Sequence, residues 1–133
     1  MTESEPLRLV TSDQAALEEW RPGVATRMLY SAATGGAQLC IFQQWCDPGL
    51  GAPEHLHGVE EVLAVLEGEA EVWVGSSRAP VVAGQQVLIP AGRWHGFRNT
   101  GTDVLRVQAT LAAPVFEASY RDRVEVTRRY LPG

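Results

Sequence analysis

From residue 24 onward, hydrophobic and polar residues alternate in short runs, and glycine, proline or asparagine bounds each run. A period of two is typical of strands, because successive side chains of a strand point to opposite faces of a sheet. Many short strands at regular spacing predict an all-β fold, an antiparallel sandwich or barrel. The predicted strands cover residues 24–30, 37–46, 61–66, 70–74, 86–89, 94–99 and 104–110.

The two ends of the chain depart from this pattern. The first 23 residues are acidic and rich in turn formers, and they predict one short helix over residues 13–20, capped by Asp13 and ended near Pro22. The segment from Pro114 onward mixes arginines with acids, which predicts a solvated closing segment, with an anion-binding role as the alternative. Because no repeat or linker interrupts the chain, we expect one domain over residues 1–133.

The charged residues exclude several classes of function. The chain has 133 residues and a net charge of −5, from 11 basic and 16 acidic residues. A net negative charge argues against binding to nucleic acid or to an anionic membrane surface, since both need a basic face. All 11 basic residues are arginine, which excludes Schiff-base chemistry and the phosphate-binding lysine of a P-loop. No apolar run approaches the ~18 residues of a membrane span.

The cysteines and the start of the chain bear on cellular location. Cys40 and Cys46 fall on one predicted strand, and six residues at ~3.3 Å each place them roughly 20 Å apart, beyond the reach of a disulfide. The start carries Glu3 and Glu5 without an apolar segment, unlike a signal peptide. Free thiols without a secretion signal predict a cytoplasmic protein.

The histidines suggest a binding site. His55 and His57 are two residues apart, so a strand would present both imidazoles on one face. On a straight strand Glu61 would lie ~13 Å beyond His57, but Gly58 allows the chain to turn and return Glu61 on a neighbouring strand ~4.8 Å away. His95 can join them only if the sheet curls into a closed or nearly closed barrel. The predicted fold and the predicted site therefore require each other.

These four residues lie in two spaced motifs. The first is Gly49-x5-His55-x-His57-x3-Glu61-x6-Gly68, and the second is Gly84-x5-Pro90-x-Gly92-x2-His95-x3-Asn99. Together they resemble the paired motifs of the cupins, and the fifteen residues between them resemble the spacer of small single-domain cupins. The resemblance implies a double-stranded β-helix, or jelly-roll barrel, with its conserved part over about residues 35–112 and with N- and C-terminal extensions that complete a sheet or a dimer. It also implies a divalent metal bound by His55, His57, Glu61 and His95.

The ligand set leaves the identity of the metal open. Three neutral imidazoles and one carboxylate suit Fe, Mn, Ni, Co or Zn, and affinity alone does not select among them. Four protein ligands on an octahedral metal leave two positions for water, a bidentate substrate, or a substrate with O₂. The alternative is a cupin that keeps these residues without binding a metal. We favour the metal because all three histidines of the chain fall on ligand positions.

The resemblance also implies which side chains face the cavity. In cupins, the residues three and five before the first motif glycine commonly do so; here they are Cys46 and Gln44, with Phe42 on the same side. Phe97 shares a face with His95 by alternation. We therefore expect Phe42, Gln44, Cys46 and Phe97 to bind substrate. A buried Gln44 amide needs a partner, either a ligand or a neighbouring strand, and the alternative role of Cys46 is that of a small buried hydrophobe.

Three functions remain open for such a protein. We expect a dioxygenase-type enzyme, in which a small organic substrate meets O₂ at the metal centre. A metal acting as a Lewis acid in lyase, isomerase or cyclase chemistry is the second, and a non-catalytic metal- or ligand-binding sensor is the third. With every histidine at the metal, none remains as a general base. Unpaired barrel edges and a strand-like start predict a homodimer.

Overall fold

The computed structural model describes residues 6–132, and in this part of the chain twelve strands form two sheets. Two short 3₁₀ turns, Ser12–Gln14 and Ala32–Thr34, accompany them. The strands are β1 (Leu17–Arg21), β2 (Val24–Tyr30), β3 (Cys40–Cys46), β4 (Gly51–Leu56), β5 (Glu61–Glu67), β6 (Glu69–Val74), β7 (Ser77–Val82), β8 (Gln86–Ile89), β9 (His95–Asn99), β10 (Leu105–Leu111), β11 (Phe116–Tyr120) and β12 (Val126–Arg129).

Each sheet has six antiparallel strands. The first sheet has the order β1-β2-β3-β10-β5-β8, and the second has the order β12-β11-β4-β9-β6-β7. Consecutive strands repeatedly lie in opposite sheets, so the chain crosses between the sheets from β3 to β4, from β4 to β5 and from β9 to β10. This crossing pattern is the jelly-roll arrangement, and it confirms the predicted all-β fold.

The core lies between the two sheets and is built from alternate positions of each strand. In β10, which pairs with β3 and β5 in the middle of the first sheet, Leu105, Val107 and Leu111 are no more than 1% exposed. Where β5 ends, Gly68 has a φ of +90° and its backbone packs beside Leu105. A side chain there would meet both a strained conformation and Leu105, which explains a glycine at this turn.

The predicted helix over residues 13–20 is wrong. A 3₁₀ turn covers Ser12–Gln14, and β1 then pairs with β2. Pro22 and Gly23 form the turn of this hairpin, with Gly23 at a φ of +75°, so they end a strand and not a helix. Trp20 packs against the core from β1, and burial of this large side chain outweighs a weak local helix preference.

The segment after Pro114 is solvated only in its later part, where Arg121, Arg123 and Arg128 are exposed. β11 pairs with β4, and β12 pairs with β11, so this segment completes the second sheet. Phe116, Ala118 and Tyr120 are buried on the inner face of β11. Their spacing of two is the signal of a half-buried strand, which the surrounding charges obscured.

β7 is not among the predicted strands because Pro80 lies within it. It is an edge strand of the second sheet, where a missing N–H is tolerated.

The acidic start with Glu3 and Glu5 lies outside the described residues. Residues 6–132 include no helix of the length and hydropathy that a membrane span requires.

Candidate metal centre

The four predicted metal ligands come together between the two sheets. His55 lies on β4 and is paired directly with His95, the first residue of β9. His57 follows β4, and Glu61 is the first residue of β5. The prediction that Glu61 lies on a strand neighbouring β4 is wrong, because β5 belongs to the facing sheet. The turn at Gly58 therefore carries the chain across the barrel, and the carboxylate approaches the imidazoles from the opposite side.

The donor atoms have the spacing of a ligand set. One nitrogen or oxygen from each of the four residues lies within 4.8 Å of the others, and all four side chains are buried. Glu61 Oε1 is 3.2 Å from His57 Nε2 and 3.1 Å from His95 Nε2. For metal–ligand distances of about 2.1 Å, adjacent ligands of an octahedral ion lie about 3.0 Å apart. The cluster therefore needs little adjustment to surround one ion.

Each imidazole is held by a backbone carbonyl. The Nδ1–H of His55 donates to the carbonyl of Pro53 at 2.7 Å, that of His57 to Glu117 at 2.7 Å, and that of His95 to Arg93 at 2.9 Å. Carbonyl oxygens only accept hydrogen bonds, so the proton of each neutral ring is on Nδ1 and the lone pair is on Nε2. Such contacts orient metal-binding histidines in general.

The contacts around Glu61 provide a test of whether a cation fits. Nε2 of His57 and Nε2 of His95 face the same carboxylate oxygen of Glu61, at 3.2 and 3.1 Å. Each contact is a hydrogen bond only when the Nε2 carries a proton, because without it two acceptors face each other. A divalent ion takes the place of these protons and makes attractive contacts with all four donors. The residues present therefore fit a metal, and nitrogen and carboxylate donors suit a first-row transition ion.

Burial and neighbouring groups shift the pKa values of two of the ligands, His55 and Glu61. Burial, with the nearby His95 and His57, lowers the pKa of His55 from 6.5 to about 3, so His55 is neutral at physiological pH and able to bind a metal. Burial raises the pKa of Glu61, but hydrogen bonds and charges from His57 and His95 outweigh it and hold the pKa at about 2. Glu61 is therefore an anionic ligand across the physiological range.

A small cavity adjoins the four donors. Its volume is about 20 Å³, which is enough for a water molecule, so that a larger ligand requires movement of the walls. Apart from the metal ligands, the walls are mainly apolar and aromatic, with Arg21 and Gln44 as polar groups. The other lining residues are Trp20, Phe42, Ala52, Leu63, Phe97, Ala109, Phe116 and Tyr120.

Three of the four predicted substrate residues line this cavity. They are Phe42, Gln44 and Phe97. The Nε2 of Gln44 donates to Thr26 Oγ1 on β2 at 3.0 Å, so the neighbouring strand supplies the partner that a buried amide needs.

The prediction that Cys46 faces the cavity is wrong, because Cys46 does not line it. It has the same parity as Gln44, but it lies at the end of β3 in the packed core, where it pairs with Val24 and Leu105. Burial raises the pKa of its thiol to about 12. It therefore has the role of a small buried hydrophobe.

Four of the lining residues that the sequence did not indicate lie toward the ends of the chain. Trp20 and Arg21 come from β1, and Phe116 and Tyr120 come from β11. Trp20 contacts Phe116 with ring centroids 4.7 Å apart, and Tyr120 stacks on His55 at 5.4 Å. The spacing of Phe116 and Tyr120 carried a strand signal, whereas no local pattern marked Trp20 and Arg21 as part of the site.

Comparison with known families identifies the class of protein. The family model described as the cupin domain matches residues 46–112, half of the chain, and this range contains both motifs. The chain belongs to the cupin family. With the buried cluster of His55, His57, Glu61 and His95, it is a metal-binding cupin.

The curated relatives include proteins of different function. Gentisate 1,2-dioxygenase of a Ralstonia species is 32% identical over 88 residues, covering 63% of this chain and 25% of that protein. The polyketide synthase CurC of Streptomyces cyaneus is 34% identical over 83 residues, covering 62% and 51%. Auxin-binding protein 1 of Arabidopsis thaliana is 27% identical over 104 residues, covering 71% and 52%. The chain thus spans about half the length, or less, of these relatives.

Solved structures support the same fold. An RmlC-like cupin from Shewanella frigidimarina superposes with a TM-score of 0.70 at 24% identity, covering 93% of this chain and all of that chain. The polyketide cyclase RemF from Streptomyces resistomycificus superposes with a TM-score of 0.71 at 21% identity, covering 80% and 79%. At these identities the likeness establishes the jelly-roll barrel alone.

Proposed function

We propose that this protein is a dioxygenase-type enzyme that brings a compact organic substrate and O₂ together at a divalent metal. His55, His57, Glu61 and His95 would hold the metal. The observation that carries the proposal is the buried cluster itself, in which each imidazole is fixed by a backbone carbonyl and its Nε2 lone pair faces the other donors. When bound, a redox-active ion such as iron supplies the electrons and open coordination positions that reaction of O₂ with an organic molecule needs.

The remaining residues bind and shield the substrate. Phe42, Phe97 and Phe116 provide an apolar wall beside the metal ligands, which excludes water from the reacting atoms. Tyr120 stacks on His55 and would orient the substrate beside this metal ligand. Because all three histidines are in the cluster, a carboxylate or a tyrosine would have to serve wherever the reaction needs a separate general base. The similarity to gentisate 1,2-dioxygenase further favours this chemistry.

Oxygen uptake by the iron-loaded protein tests the proposal. We expect Fe(II)-loaded wild-type protein to consume O₂ with at least one member of a panel of small phenols and carboxylic acids that begins with gentisate. His95→Gln, which removes one metal ligand, is the matched control and should consume none. A protein that holds iron but consumes no O₂ with any member of the panel would contradict the proposal.

A Lewis-acid lyase, isomerase or cyclase is the second candidate, and Tyr120 favours it. Its phenol lies next to a metal ligand and could donate a proton to an enolate stabilised by the metal. The similarity to the polyketide synthase CurC points in the same direction. Conversion of a substrate by Zn(II)-loaded protein without O₂ would favour this candidate over dioxygenation. A molecule that binds tightly and is recovered unchanged would favour a sensor.

A further inference from the structure

Arg21 occupies an unusual position at the wall of the cavity. It is the last residue of β1 in the first sheet, and its guanidinium reaches across to the second sheet. There Nη1 donates to the carbonyl of Gly51 at 2.9 Å and Nη2 donates to the hydroxyl of Tyr120 at 3.3 Å. The side chain is half-buried and lines the same cavity as the four metal ligands.

The partners of Arg21 leave its charge uncompensated. Both are neutral groups, and within residues 6–132 no carboxylate oxygen lies within 4.0 Å of its guanidinium. By contrast, five arginines form ion pairs on the surface: Arg78, Arg106, Arg121, Arg123 and Arg128. Among the described residues, Glu61 is the only acidic one that lines the cavity, and it is already in contact with His57 and His95. A partly desolvated cation without a counter-charge is costly unless an anion joins it.

The guanidinium also retains unused donors. Of its five N–H groups, two are engaged by Gly51 and Tyr120. The others are available to the parallel pair of hydrogen bonds that arginine makes with a carboxylate, an arrangement that matches the planar fork of the guanidinium.

Tyr120 connects this group to the metal ligands. Its hydroxyl accepts from Arg21, and its ring stacks on His55 with centroids 5.4 Å apart. One side chain therefore separates the guanidinium from the cluster, and apolar residues line the space beside it. A compact molecule with an anionic group at Arg21 would extend its other atoms toward the metal ligands.

We propose that Arg21 is the anion-binding residue of the cavity and that the site takes a compact carboxylate. This proposal rests on the proposed function in one respect: it assumes that the atoms of the carboxylate that react lie next to the metal. It gives Arg21 a role beyond joining β1 to the second sheet, and it narrows the substrate class from small organic molecules to small organic acids.

Acetate and acetamide are suitable probes, because they match in size and shape and differ in charge. Each is titrated at constant ionic strength into ¹⁵N-labelled protein at pH 8, and binding is followed by amide chemical shifts. The titrations use metal-free protein, so that acetate cannot bind through a metal. The variants are Arg21→Gln, which removes the charge, and Tyr120→Phe, which removes one partner of Arg21 but keeps the charge. Arg78→Gln, at an exposed ion pair, controls for loss of one positive charge.

We expect metal-free wild-type protein and Arg78→Gln to bind acetate in preference to acetamide. Arg21→Gln should weaken acetate binding about tenfold or more, as expected for the loss of a charge-assisted hydrogen bond, whereas Tyr120→Phe should retain the preference. The proposal would be overturned if acetate and acetamide bound alike, if Arg21→Gln bound acetate as wild type does, or if Tyr120→Phe lost the preference as completely as Arg21→Gln. Because these titrations work without metal, a failure of the metal centre would leave them interpretable.

Discussion

The low pKa of His55 makes the stability of the metal-free protein depend on pH. Burial holds this pKa at about 3, compared with 6.5 for an exposed histidine. The unfolded chain therefore takes up a proton on His55 below pH 6.5, while the folded protein does not. The contribution of neutral His55 to the free energy of unfolding is fully present above pH 6.5 and is lost as the pH falls from 6.5 toward 3.

The size of this effect follows from the two pKa values. From pH 7 to pH 4.5, one group shifted from 6.5 to about 3 lowers the free energy of unfolding by about 2–3 kcal/mol. The pKa of Glu61 is lowered from 4.5 to about 2, so its protonation destabilises the fold below this window. Between pH 4.5 and pH 7, the free energy of unfolding therefore reports mainly the protonation of His55 and not that of Glu61.

Urea unfolding in chelator-containing buffer at a series of pH values measures the effect. His55→Gln lacks the titrating group and is the matched control. The free energy of unfolding of wild type minus that of His55→Gln should fall by about 2–3 kcal/mol between pH 7 and pH 4.5. Parallel curves for the two proteins across this range would refute the account of a buried, neutral His55.

Three more predictions concern the core. Leu105→Ala should lower the free energy of unfolding by about 2–5 kcal/mol because Leu105 is fully buried. The control Leu88→Ala, at a position 59% exposed, should change it by less than about 0.5 kcal/mol. Equal urea midpoints for the two variants would contradict this prediction. Asn99→Ala should cost about 1–3 kcal/mol, because the Asn99 amide donates to two carbonyls and accepts from one backbone N–H, and an unchanged melting temperature would count against these bonds. Burial raises the thiol pKa of Cys40 to about 11 and of Cys46 to about 12, so both should resist iodoacetamide at pH 8 until urea unfolds the protein; modification of the folded protein would disprove their burial.

Local spacing indicated which of His55, His57 and Glu61 could meet, whereas His95 and the metal itself were implied by the resemblance of the two motifs to those of the cupins. His55 and His57 share a face through the period of two, and turn glycines set the distances to Glu61. The sheet that carries Glu61 could not be assigned in the same way. A turn at Gly58 permits a return in the same sheet or a crossing to the other, and only the packing of the whole barrel selects the crossing.

The ends of the chain were harder to predict for a related reason. Trp20 and Tyr120 are one hundred positions apart, and both line the cavity. Tyr120 is placed there by the pairing of β11 with β4, and Trp20 by a hairpin with β2, which itself pairs with β3. The residues around Trp20 have a weak helical pattern that this pairing overrides. The alternation of side chains correctly predicts that Cys46 points into the barrel, but it does not predict where along β3 the cavity ends. Arg21 is recognised as part of the site only once Gly51 and Tyr120 are seen beside it.

The stoichiometry of metal binding tests the central claim most directly. Protein purified without a histidine tag is loaded with Ni(II), dialysed and analysed for metal, together with His57→Gln and His95→Gln variants whose folding is checked by circular dichroism. Because each variant loses one of four donors around a single ion, we predict one Ni(II) per wild-type chain and loss of metal from both folded variants. Wild-type protein that retains no metal, or folded variants that retain as much as wild type, would contradict the assignment of these residues as one metal centre.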